Sequence, residues 1–121
     1  MKALLKRVAC MTVEPEIAAF VQCWNEGKFF MAHEVLEGLW VRRRDDGLQG
    51  LIQLAVALYH IERGNLRGAK ATIERARRRL ANRSSVELPF SLAVMGDFAA
   101  YVARALESGA TGKTISQRPR L

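Results

Sequence analysis

The stretch Leu48-Gln49-Gly50-Leu51-Ile52-Gln53-Leu54-Ala55-Val56-Ala57-Leu58-Tyr59-His60-Ile61-Glu62-Arg63 decides the fold. It reads as a helix that is apolar almost all the way round, and such a helix has to be enclosed by others. We therefore expect it at the centre of an all-α domain. Upstream, Asp45-Asp46-Gly47 forms a tight polar turn, and a helix precedes it from about Phe29 to Arg43. The first helix begins at Glu14-Pro15, because proline at the first helical position loses an N–H that has no helical partner anyway. Ile17, Phe20, Val21 and Trp24 give it an i, i+3, i+4, i+7 stripe, and Gly27 ends it.

Downstream, Gly64-Asn65 ends the central helix. A fourth helix follows with Leu66, Ala69, Ile73, Ala76 and Leu80 as its stripe. Asn82 to Phe90 is a loop carrying Ser84, Ser85 and Pro89, and a fifth helix starts near Ser91 with the seam Leu92, Met95, Ala99, Val102 and Leu106. Gly27, Ala32, Leu36 and Leu39 recur as Gly64, Ala69, Ile73 and Ala76, each set a glycine turn followed by a small residue. Two copies are too few for a solenoid. The expected architecture is a compact up-and-down bundle of about five helices, two hairpins closed by a C-terminal helix. Residues 1–108 form one domain in this reading, and 109–121 a disordered tail.

At 121 residues, half of them apolar and 26% charged, the composition is that of one folded domain. Cys10 and Cys23 make neither a metal spacing nor a redox pair, and Cys23 sits among Phe20, Val21 and Trp24 as a small hydrophobe. A reducing, cytoplasmic setting is expected. Met1–Met11 has apolar runs too short for a signal peptide, and no stretch approaches the ~20 apolar residues of a membrane span. Net charge is +7, and the segment Arg63–Arg83 carries an equal excess, with Glu74 its only acid.

Polar side chains cluster on the second and third helices. His33, Glu37 and Trp40 are spaced i, i+4, i+7 and share a face, as do Gln49, Gln53, Val56 and His60. With the two helices antiparallel about Asp45-Asp46, Glu37 falls opposite Gln53. His33 falls within about 4.5 Å of His60 along the axis. Glu34 lies nearby. A semi-buried polar pocket is the expectation, and three uses of it stay open. It forms an internal network fixing helix register, since buried polar groups need partners. It holds a small ligand or a divalent metal through His33, Glu37 and His60. Or a Glu–His pair moves protons in an enzyme, metal-dependent and hydrolytic in its best form. His33-Glu34-Val35-Leu36-Glu37 has a glutamate where a zincin helix has its second histidine, and the Glu-x-x-His order of di-iron bundles is reversed.

Phe29-Phe30-Met31-Ala32-His33-Glu34-Val35-Leu36-Glu37-Gly38-Leu39-Trp40 resembles the signature of the domain-of-unknown-function 309 family. Gln49-Gly50-Leu51-Ile52-Gln53-Leu54-Ala55 and Gly64-Asn65-Leu66-Arg67-Gly68-Ala69 resemble its second and third blocks, in the same order. The resemblance covers roughly residues 16–82. It implies an all-helical bundle with no assigned activity, and points to His33, Glu34, Glu37, Trp40, Gln49, Gln53, Gly64, Asn65 and Gly68. Gly38 departs from it, standing where the family usually has glutamate. The connection from Trp40 to Gln49 is also shorter than usual.

Arg67, Lys70, Arg75, Arg78 and Arg79 crowd the solvent side of the fourth helix, and Arg42-Arg43-Arg44 add basic charge elsewhere. A cationic face of this kind holds phosphates, which makes a nucleic-acid-binding accessory module a further reading; a solvated arginine-rich helix is its bland counterpart. Gly109-Ala110-Thr111-Gly112-Lys113-Thr114 lacks the first glycine and the strand of a phosphate-binding loop and is set aside. The main expectation is a small non-catalytic binding or scaffold protein, with a small ligand or a protein as partner.

Overall fold

The computed structural model describes residues 13–121. The readings made for Met1–Met11 and Cys10 lie outside the described residues. Five helices follow one another: α1 (Pro15–Asn25), α2 (Phe29–Arg43), α3 (Asp46–Glu62), α4 (Leu66–Leu80) and α5 (Leu92–Ser108). The described residues are all-α, as expected. None of their helices is long and apolar enough to cross a membrane.

Helix ends follow from local chemistry. Pro15 opens α1. The Asp45 carboxylate accepts the Leu48 N–H at 3.0 Å and caps α3, which therefore starts before Leu48. Asn65 caps α4 through the Gly68 N–H, and Ser91 caps α5 through the Val94 N–H. Gly27 and Gly64, equivalent in the internal repeat, both take left-handed φ values of 77° and 74°, which cost a glycine little. Arg44 closes α2 at φ 51° without being a glycine, and its guanidinium folds back over the Trp40 ring at 4.4 Å.

Each helix packs on its neighbours in sequence, and α3 also touches α5. The pairing of α3 with α4 is the most extensive because glycine lets the axes close in: a Cβ on Gly50 would stand 2.8 Å from Leu80 Cγ and 3.0 Å from its backbone nitrogen. Leu48, Leu51, Leu54, Ala55, Ala57 and Leu58 are fully buried, so α3 is the central helix. At one end Trp24 is enclosed, with edge contacts to Phe29 and Phe98 at 5.6 and 6.0 Å between ring centres.

Residues 109–121 differ from the expected disordered tail. Gly109 ends α5 with φ 76°, and the following turns bring the chain back against the α1–α2 corner. The Trp24 indole N–H donates to the Pro119 carbonyl at 2.8 Å. Arg118 donates to the Trp24 and Asn25 carbonyls, both at 3.0 Å, and lies 5.2 Å over the Phe29 ring. The last carbonyls of a helix have no partner within it, and Arg118 supplies one. A buried indole needs an acceptor, and the returning chain provides it.

Candidate functional site

His33 and Glu37 occupy the flank of α2, one turn apart, with His33 Nε2 3.4 Å from a Glu37 carboxylate oxygen. His33 Nδ1 lies 2.5 Å from the Phe30 carbonyl, so in the neutral ring it is the nitrogen that donates. Nδ1 thus has its hydrogen-bond partner within α2, and the Glu37 carboxylate lies beside Nε2. Phe30 stacks edge-on against His33 at 4.8 Å and reaches across to the Tyr59 ring of α3 at 5.3 Å. Tyr59 in turn carries the Arg63 guanidinium at 5.5 Å. Yet Phe30 is 47% exposed and its neighbour Met31 53%. The second and third helices therefore meet in an aromatic–imidazole edge that is open to solvent.

His60 belongs to a different neighbourhood. Asn65 accepts the Gly68 N–H with its side-chain oxygen, so its amide nitrogen is the group that faces His60 Nδ1 at 3.2 Å. That fixes Nδ1 as an acceptor and leaves the proton of the neutral ring on Nε2. Gln53 lies on the same side of α3 as His60, and its buried Oε1 has no hydrogen-bond partner among the described residues. No hydrogen bond links Gln53 to Glu37 among the described residues.

The expected four-residue pocket is therefore divided. A helix turns about 100° per residue. It is Tyr59, not His60, that meets Phe30 of α2, and His60 reaches the Asn65 cap of α4. Among the described residues no three His, Cys, Asp or Glu side chains gather closely enough to hold a metal ion, so His33, Glu37 and His60 are not brought together as a ligand set. Glu34 is exposed, Gln49 is half-buried, and half-buried Trp40 serves as the platform for Arg44.

The Asp45-Asp46-Gly47 turn expected from the sequence holds a densely satisfied polar centre. Asp45 is 7% exposed and accepts from the Leu48 and Ser85 N–H groups and from the Ser84 and Ser85 hydroxyls, at 2.8–3.0 Å. Burial pushes its carboxyl up, but these donors together outweigh it and hold the group below the ordinary aspartate value. It joins the start of α3 to the loop after α4. An Asp before a helix is a cap signal; the serines 39 and 40 positions away carry none.

The basic clusters also resolve. Arg42 pairs with Glu16 at 2.8 Å, which lowers the Glu16 carboxyl, and Arg43 pairs with Glu14. Arg79 is tied to Asp46 at 2.9 Å.

Residues 17–72 match the family described as "Domain of unknown function (DUF309)". The match is to this segment of the chain. Its bounds take in α2, α3 and the aromatic–imidazole edge. An uncharacterised protein of Aquifex aeolicus (strain VF5) is 31% identical over 83 residues, which is 64% of this chain and 25% of that protein. The chain thus spans about a quarter of that relative's length. No solved structure matches it.

Proposed function

We propose that the protein is a small non-catalytic binding protein, and that its partner docks on the α2–α3 edge formed by Phe30, Met31, His33, Glu37 and Tyr59. The observation that carries this is Phe30: a large ring, held between His33 and Tyr59, that keeps about half its surface in water. Exposed apolar side chains rimmed by polar ones are the usual mark of a protein interface, and aromatic residues and Met concentrate in such cores. His33, Glu37, Tyr59 and Arg63 supply the polar rim. The imidazoles support binding over proton transfer, since His33 is held by its own helix and His60 Nδ1 by the Asn65 amide. The buried Gln53 oxygen, without a partner among the described residues, is a secondary acceptor.

The test is site-specific photo-crosslinking in the cells that make the protein, with the photoreactive residue at Met31 or, as a control, at Val94 on α5. A single adduct formed from position 31, absent from position 94 and lost when Phe30→Ser is added, supports the reading. No adduct at position 31, or the same adduct from both, contradicts it.

A further inference from the structure

We infer that the solvent face of α4 is a docking surface for the phosphate backbone of a nucleic-acid duplex, independent of the α2–α3 edge. The structure reaches this by subtraction. Outside α4, Arg42 and Arg43 are neutralised by Glu16 and Glu14, Arg44 lies over Trp40 and Arg63 over Tyr59, while the exposed Arg83, Arg104, Lys113 and Arg120, without an acidic partner among the described residues, are spread over other parts of the chain. Within α4, Arg79 is bound to Asp46 and Arg77 to Glu74 at 3.1 Å. Arg67, Lys70, Arg75 and Arg78 remain, all exposed and none with an acidic partner among the described residues. They form one stripe: from Arg67 to Arg78 the helix makes about three turns and rises about 16 Å.

Several features favour a duplex over other polyanions. Three of the four cations are arginines, whose planar fork matches phosphate oxygens in pairs. The stripe lacks aromatic side chains on which the bases of a single strand would stack. A membrane surface is disfavoured because Ala69, Ile73, Ala76 and Leu80 on the apolar face of α4 are buried in the core, which leaves Leu66 at the start of the helix as its one exposed large apolar side chain. Contact is therefore with the backbone and indifferent to sequence. The one acid on the face, Glu74, is masked by Arg77 and so does not repel the phosphates.

The experiment is fluorescence anisotropy with a mixed-sequence DNA duplex of about 20 base pairs at several salt concentrations. Four phosphate contacts predict a log–log salt slope of about −3.6, a loss of roughly 10²-fold in affinity between 50 and 200 mM salt. Arg75→Gln with Arg78→Gln should bring the slope to about −1.8, and Glu74→Gln, which frees Arg77, should steepen it to about −4.5. All three sites are exposed, so circular dichroism should stay that of the wild type. The Glu74→Gln arm stands even if the double variant folds poorly. The inference is overturned by no binding at 50 mM salt, or by a slope unmoved in either variant. It is also overturned by tighter binding to the matching single strand, to vesicles of phosphatidylserine or to polyglutamate than to the duplex.

Discussion

The Ser84 hydroxyl donates to Asp45 Oδ2 at 2.8 Å, the same oxygen that accepts the Leu48 N–H at 3.0 Å. One carboxylate thereby caps the central helix and pins the loop between the fourth and fifth helices to it. Gly47 is small for the same reason, since a Cβ there would stand 2.7 Å from Ser84 Cβ.

Asp45→Ala removes the cap and orphans the donors of Ser84 and Ser85, so it should cost about 2–3 kcal/mol in a urea unfolding experiment. The pH dependence carries the sign. The folded carboxyl titrates below its unfolded value of about 3.9, so its contribution is complete above that pH and is lost as pH falls through the lower, folded value. Wild-type stability should fall more steeply than that of Asp45→Asn across this acid window. Parallel curves would contradict the assignment.

Two glycines in helix interiors should respond oppositely to alanine. A Cβ on Gly38 meets nothing within 4 Å, so Gly38→Ala should stabilise by about 0.5–1 kcal/mol. Gly50→Ala drives a methyl against Leu80 and should destabilise by about 1–3 kcal/mol despite its better helix propensity. Paired thermal melts check both signs.

The C-terminal segment should contribute to stability. Arg118→Ala leaves the Trp24 and Asn25 carbonyls without their charged donor and should cost about 1.5–3 kcal/mol in chemical denaturation. Hydrogen exchange should quicken across the end of α1. An unchanged denaturation midpoint would count against the docked arrangement.

The helical order and the central place of α3 were legible because they depend on local signals: proline at a start, glycine at a stop, and a run from Leu48 to Leu58 too apolar to lie outside. The shared face of Gln49, Gln53, Val56 and His60 was legible as well, as one face of one helix. Which helix that face looks toward was not. Interhelical rotation is set by how close Gly50 lets Leu80 approach, and a shift of one residue puts Tyr59, not His60, against Phe30. The returning C-terminal segment was hidden for a related reason. Its contacts join Arg118 and Pro119 to Trp24 and Asn25, and no periodic pattern marks a segment held by individual hydrogen bonds.

Hydroxyl-radical footprinting of Phe30 and Met31, compared between the purified protein and intact cells, tests the binding edge most directly. Both side chains should be oxidised readily in the purified protein and protected in cells, while exposed Val94 on α5 reacts equally in both. Equal oxidation of Phe30 and Met31 in the two settings would contradict the proposal that a partner covers them.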